Sequence, residues 1–323
     1  MTGPARPERR SVQLPPGGGL LLVDKPAGCT SHDVVGRVRR VLGLRRVGHA
    51  GTLDPMATGL LVIAVDRATK LLGHLALTDK TYLATIRLGI STDSDDADGD
   101  VVATADPARV AAVDDRQLED GIAALTGELM QVPSAVSAIK VDGRRAYDRV
   151  RAGEQVALAA RPVTVSRFAR TGPARRGPAG IDVDVVVDAS TGTYVRSLAR
   201  DLGAALGVGG HLTALRRTRV GPFTVADAVD VYAGPPAERP AVTDALVAAV
   251  SGALLPAADA VRRAFPVHTV DDRQAVDLGH GRRIPAAGLP GTYAAFDRSG
   301  ALIALACDDG AQARSVFGWH SPA

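Results

Sequence analysis

The densest concentration of small and reactive residues is Gly48-His49-Ala50-Gly51-Thr52-Leu53-Asp54-Pro55-Met56-Ala57-Thr58-Gly59. Small residues let a backbone approach a ligand closely, and Pro55 biases Asp54 toward an extended conformation. A single carboxylate fixed on such a loop is a candidate nucleophile or general base, against the plainer reading of Asp-Pro as a turn. A second island, Ser190-Thr191-Gly192-Thr193-Tyr194-Val195-Arg196-Ser197, falls at an expected strand-to-helix junction. There Arg196 can pair with an acid and Tyr194 can stack on a ligand or hydrogen-bond to it, or the two are a surface arginine and a half-buried tyrosine. Tyr82, preceded by Asp79-Lys80-Thr81, is either a ligand contact or a core strand residue. His49 is an acid–base group, a stacking residue or an ordinary loop histidine.

Other chemistries lack their anchors. The acidic loop Asp93-Ser94-Asp95-Asp96-Ala97-Asp98-Gly99-Asp100 invites a calcium reading. Aligned on Asp98-Gly99, however, the EF-hand pattern has Ser94 at its first ligand position and Ala105 where the bidentate glutamate belongs. There is no G-x-x-x-x-G-K-[ST], H-E-x-x-H or G-x-S-x-G, so phosphate-loop, zincin and α/β-hydrolase mechanisms have no starting motif. Cys29 and Cys307 are far apart and outside any C-x-x-C, which removes disulfide frameworks and zinc ribbons and leaves both as small buried hydrophobes. No metal and no cofactor are expected. A carboxylate glycosidase needs two acids flanking the bond, and only Asp54 sits in such a motif.

The elements that must position these residues are readable from periodicity. Gly19–Val23 is a short apolar run stopped by Lys25-Pro26 and reads as a buried strand. Ser31 is an expected N-cap, with Asp33 in the first turn of a helix carrying Val34, Val35, Val38, Val41 and Leu42 on one face. Leu60–Val65 reads as a buried strand and Asp66–Leu77 as a helix. Thr81–Leu88 alternates, placing Tyr82, Ala84, Ile86 and Leu88 on one face. Asp115–Leu125 and Ser197–Leu206 read as helices, Ile181–Val187 as a strand with one wet face, and Leu215–Val225 as strand-like. Residues 1–18 read as a disordered tail, 226–262 as a weakly structured connector with a helix at Thr243–Val250, and 263–323 as a small β-rich module. Helices and strands without strict βαβ alternation predict an α+β protein.

The chain has 323 residues, 46% of them apolar, room for two domains at about 150 residues each. No apolar run approaches the ~18 residues of a membrane span. The opening MTGPARPERRSVQLPP has no apolar stretch of the kind a signal peptide carries. A cytoplasmic monomer is expected. The net charge of +3 conceals segregation: +6 over residues 1–52, −8 over 53–130 and +7 over 131–177. Two basic blocks flanking an acidic one either form a phosphate-binding face or are separate solvated loops.

Together these islands resemble the TruB family of bacterial tRNA pseudouridine synthases. The matching pieces, in family order, are LLLVDKPAGCTSHDVV, GHAGTLDPMATGLL, DKTYLATIRLG, STDSDDADG, QVPSAVSAIKVDGRRAYDRVR, RPVTV, STGTYVRSLARDLG and HLTALRRTRVGPF, which cover nearly all of residues 19–225. The resemblance implies a pseudouridine-synthase fold with a mixed, largely antiparallel central sheet flanked by helices in residues 19–262. It further implies an RNA-gripping insertion at 131–160 and a PUA-like RNA-binding module at 263–323. It implies isomerisation of uridine 55 in the T-loop of tRNA, with the T-arm stem-loop as partner. Asp54 then matches the catalytic aspartate, Tyr82 the tyrosine that stacks on the target base, and Arg196 the arginine paired with the aspartate. His49 matches the histidine that fills the space left by the flipped nucleotide. Tyr194 and Leu215 match further substrate contacts, and Lys25-Pro26 a motif lining the site. Arg144, Arg145 and Arg149 in the basic insertion are expected to hold the RNA backbone. The acidic loop departs from many relatives, which carry a threonine in its middle. A non-catalytic tRNA-binding protein or RNA chaperone on the same fold is the alternative, against which the intact set Asp54, Tyr82 and Arg196 stands.

Overall fold

The apolar run at Gly19–Lys25 forms strand β1, and its burial on both faces explains why it does not alternate with polar residues. The computed structural model describes residues 12–76, 78–134, 140–141, 144–145, 158–238 and 240–319. β1 pairs antiparallel with β3 (Thr58–Val65) and, over Gly19 and Leu20, with the short β15 (Leu255–Pro256). Leu21, Val23, Leu61, Ile63 and Val65 point into one core. Leu20, Leu22, Leu60, Val62 and Ala64 point into another.

The main sheet runs β15-β1-β3-β13-β4-β12-β10-β7, where β4 is Lys80–Leu88, β7 Gly127–Gln131, β10 Arg161–Arg170, β12 Gly180–Ala189 and β13 Gly210–Val220. Among the described residues its pairings are antiparallel except where β13 meets β3 at Arg216 and Arg217. The architecture is therefore the expected α+β one, with a mixed, largely antiparallel sheet. β4 alternates as read: Tyr82, Ala84, Ile86 and Leu88 are buried, while Leu83 is exposed. The aspartates of β12 account for the wet face. Asp182 takes two bonds from Arg87 at 2.7 and 2.8 Å, Asp184 takes one from Thr85 at 2.7 Å, and Asp188 accepts from Thr81.

The first core lies between this sheet and the helices Ser31–Leu42, Asp115–Ala124 and Val195–Ala205. The second joins β1 and β3 to a five-stranded sheet of order β16-β18-β19-β20-β17, spanning Val267–Thr269, Thr292–Phe296, Leu302–Asp309, Gln312–Gly318 and Ile284–Pro285. Phe296, Leu302, Leu305 and Trp319 supply the C-terminal side of that core.

Four expectations need correction. Among the described residues, 226–262 has the helix expected at Thr243–Val250, seen as Asp244–Gly252, but is more ordered than a weak connector. The helix Asp244–Gly252 puts Leu246 and Val250 into the first core, and the helix Ala257–Ala264 puts Ala257, Ala260 and Val261 into the second. Arg37, 4% exposed, clasps this stretch by donating to the carbonyls of Val231, Tyr232, Pro240 and Ala241 at 2.6–3.3 Å. Asp66–Leu77 is not one helix. A 3-10 segment, Asp66–Leu71, precedes one α turn at Leu72–Leu75, with Asp66 left-handed at φ 53° and Ala68 N–H tied to the carbonyl of Gly17. Of the expected tail, residues 1–11 lie outside the described residues, and in the described part Val12 and Leu14 pack on the first core. Cys29 is buried as expected, but Cys307 is half-buried near the end of β19.

The helix Val195–Ala205 lies on β13 through Gly203. A Cβ there would sit 2.1 Å from the carbonyl carbon of Gly209 and 2.3 Å from the nitrogen of Gly210. In an open helix Gly→Ala stabilises by about 1 kcal/mol. Here the collision is with backbone, which cannot swing aside, and overpacking costs about 1–3 kcal/mol or more. The collision wins, so Gly203→Ala is expected to lower the thermal midpoint rather than raise it. A calorimetric scan of the variant beside the wild type reads the sign.

Candidate active site

Asp54 stands on the loop between β2 (Val47–Ala50) and β3, and buried groups hold that loop from three directions. From the first turn of the helix Ser31–Leu42, the Ser31 hydroxyl accepts from Leu53 N–H at 2.9 Å and donates to its carbonyl at 3.2 Å. The helix is capped one residue earlier than expected, by Thr30 in a capping box with Asp33, which frees Ser31 for this task. From β1, the fully buried Lys25 ammonium donates to the carbonyls of Pro26 at 2.9 Å and Pro55 at 3.2 Å. From β13, the buried Arg217 guanidinium donates to the carbonyls of Gly51 at 3.0 Å, Thr52 at 3.4 Å and Leu60 at 2.8 Å. Gly59 lets β13 come this close: its φ is +99°, and a Cβ would lie 2.2 Å from the Arg217 carbonyl oxygen.

Arg196 approaches from the opposite side, in the first turn of the helix Val195–Ala205. Its Nη2 donates to Asp54 Oδ1 at 3.0 Å. Its Nη1 donates to the carbonyl of Ser94 at 2.8 Å and to Ser134 Oγ at 3.3 Å, and stands 3.5 Å from Asp96 Oδ2. The Arg196 side chain is 4% exposed and that of Asp54 is 30%. Burial raises the Asp54 carboxyl above its ordinary range and the Asp96 charge adds to this, while Arg196 and Lys25 pull the other way. Burial likewise lowers the Lys25 ammonium. Lys80, which donates to the carbonyl of Ala76 at 2.7 Å and to that of Thr78, is lowered to about 8 by burial and by the Arg217 charge.

Asp54 opens onto a cavity of about 240 Å³ whose walls include Tyr82, Lys80, Tyr194, Arg196 and Leu215. Five of the residues singled out from the sequence, Asp54, Tyr82, Tyr194, Arg196 and Leu215, thus share one cavity, although they come from β4, β13 and two loop or helix starts. Lys25 is not part of that wall: it lies fully buried under the loop, donating to the carbonyls of Pro26 and Pro55. His49 sits half-buried on β2, outside that wall, edge-on to His32 with ring centroids 5.5 Å apart. Arg144 and Arg145 form β9, antiparallel to β8 (Lys140–Val141), and Arg149 lies outside the described residues. Arg217, Ser31, Ser94, Asp96 and Lys80 escaped the sequence reading. Arg217 had a signal, since it is two residues from Leu215 on an alternating strand and so an arginine on an apolar face.

Chemically, the arrangement presents one carboxylate, kept beside a buried guanidinium, at the floor of a cavity with an aromatic wall. Comparison with known proteins agrees with this composition. Residues 39–195 match the TruB family pseudouridylate synthase N-terminal domain, 196–233 the tRNA pseudouridylate synthase B C-terminal domain, and 265–320 the C-terminal domain of tRNA pseudouridine synthase II. The chain is 56% identical over 314 residues to the tRNA pseudouridine synthase B of Nocardia farcinica, covering 96% of this chain and 95% of that one. It is 52% identical over 304 residues to that of Leifsonia xyli subsp. xyli, covering 93% and 96%. Among solved structures, a chain of a Cbf5-Nop10-Gar1 complex superposes with a TM-score of 0.65 at 27% identity, covering 94% of this chain and 83% of that one. The chain belongs to the TruB family of pseudouridylate synthases.

Proposed function

We propose that the protein isomerises uridine 55 in the T-loop of tRNA to pseudouridine, as a cytoplasmic monomer that needs no cofactor. The observation that carries this reading is the Asp54–Arg196 pair at the floor of a cavity that also presents Tyr82, Tyr194 and Leu215. In the reaction the N1–C1′ bond breaks, the uracil turns within the site, and C5 bonds to C1′. C5 gives up its proton and N1 ends protonated, so the product is an isomer of the substrate. The nucleotide must leave its stack to be reached, at a cost of a few kcal/mol. Stacking on an aromatic ring returns about 1–3 kcal/mol per base, which is the role assigned to Tyr82, with His49 filling the space the base leaves. Whether Asp54 attacks C1′ or removes a ribose proton, it acts as the carboxylate. Arg196 is the nearest counterweight to the burial that favours the acid. Residues 19–262 form the catalytic unit in this reading. The insertion at 131–160 and the PUA-like module at 263–323 grip the RNA, with Arg144, Arg145 and Arg149 on its phosphates.

Asp54→Asn is expected to abolish tritium release from a T-arm transcript labelled at uracil C5 while leaving tRNA affinity within about a few-fold, since one carboxylate is not a phosphate anchor. Parallel loss of binding and release would contradict the assignment. Because the folded-state carboxyl is raised above its unfolded value, ionised Asp54 costs stability at neutral pH, and that cost fades as pH falls toward the unfolded value of about 3.9. The Asn variant should therefore melt no lower than the wild type at pH 7, and the difference should close on acidification. A variant that melts lower at neutral pH than at acid pH, relative to wild type, reverses the sign.

Neutralising Arg144, Arg145 and Arg149 together is expected to weaken tRNA binding and to flatten its salt dependence, by roughly one unit of log–log slope for each phosphate left without its cation. Filter binding across a salt series measures this. An unchanged slope would count against the grip.

A further inference from the structure

β7 alternates as an edge strand should, with Glu128 and Met130 outward, but its last inward position is an amide, Gln131, rather than an apolar residue. That side chain is 4% exposed, and both its ends are spent on one residue. Gln131 Oε1 accepts from Tyr194 N–H at 2.8 Å, and Gln131 Nε2 donates to the Tyr194 carbonyl at 3.1 Å. Tyr194 is the N-cap of the helix that carries Arg196, and its own side chain makes no cap bond. The amide thus takes up the N-cap N–H, the donor that the N3 side chain of a capping box would otherwise satisfy. Three residues on, Ser134 is fully buried. Its Oγ accepts from Arg196 Nη1 at 3.3 Å and donates to the Ser94 carbonyl at 3.0 Å. Between them, the carbonyl of Val132 accepts from Arg200 of the same helix at 2.8 Å. One stretch, 131–134, therefore holds the backbone root of Arg196 through Tyr194 and the guanidinium end through Ser134.

We propose that Gln131 is a positioning residue for the Asp54–Arg196 pair, acting with Ser134 to fix where the guanidinium meets the carboxylate. This rests on the assignment of Asp54 as the reacting carboxylate. The groups facing Asp54 are Arg196 from the helix, Asp96 from the acidic loop and Lys25 from β1. Of these, only Arg196 is held by the 131–134 stretch in the bonds described above. Loosening it weakens the influence that favours the carboxylate, so burial and the Asp96 charge weigh more heavily against Arg196 and Lys25. The consequence is a slower reaction together with an acid limb moved to higher pH.

The test uses the full chain with Gln131→Met, which keeps side-chain length and loses both bonds, and Ser134→Ala, which loses only the hydroxyl. Single-turnover tritium release is followed across pH, with tRNA affinity measured alongside. Expected are a rate at saturating tRNA lowered about 10- to 100-fold, the cost of a small misplacement of a reacting group, and an acid limb displaced upward in both variants. A rate loss with the acid limb in place would mean a merely structural role and would overturn the proposal, as would wild-type kinetics in both. If Gln131→Met does not fold, Ser134→Ala decides alone by the same two readouts. Asp54→Asn run in parallel separates the two claims: its inactivity beside wild-type behaviour of the Gln131 and Ser134 variants sinks only this inference, whereas full activity of Asp54→Asn sinks the functional reading itself.

Discussion

The structure turns on a buried guanidinium. Taking an arginine and a carboxylate out of water costs several kcal/mol per ion, and that cost is offset only if geometry is good and the remaining donors are occupied. Arg196 meets the condition by spreading its donors over Asp54, the Ser94 carbonyl and Ser134, with Asp96 within reach of the same charge. A lysine could not reproduce this, because the planar fork is what reaches several acceptors at once. The acidic loop, the 131–134 stretch and the start of the helix Val195–Ala205 are all shaped around that one side chain.

The facing half of the site obeys the same constraint with opposite charge. The Asp54 loop has carbonyls pointing inward, and buried cations satisfy them: Lys25 on Pro55, Arg217 on Gly51 and Thr52. Fixing the loop by its backbone leaves the carboxylate to Arg196 and the cavity. The close approach of β3 and β13 at Gly59, and of the helix and β13 at Gly203, sets the distance between the two halves. Small residues at these crossings matter because rigid backbone meets rigid backbone there.

Much of this was legible in the sequence, and the remainder was hidden for identifiable reasons. Alternation placed Tyr82 on the buried face of β4, and the small-residue loop and the strand-to-helix junction marked Asp54 and Arg196. Asp96 and Ser94 were obscured because the acidic run, once its calcium pattern fails, has no role to read until its partner, about 100 residues away, is known. Ser31 looked like a cap because a hydroxyl at a helix start usually is one, and Thr30 had already taken that role. The 226–262 stretch read as a loose connector from its alanine, proline and aspartate content, whereas Arg37, 194 residues from Val231, supplies the order. Periodicity reports which face is buried, and long-range pairing of polar groups leaves no period to read.

The central claim is that burial strains the Asp54 carboxylate and Arg196 keeps it usable. Titrating the Asp54 carboxyl carbon by NMR in the wild type and in Arg196→Met tests this most directly. The account predicts a wild-type midpoint above the ordinary value of about 3.9 and a higher one in the variant. A wild-type midpoint at or below that value, unmoved by loss of Arg196, would contradict it.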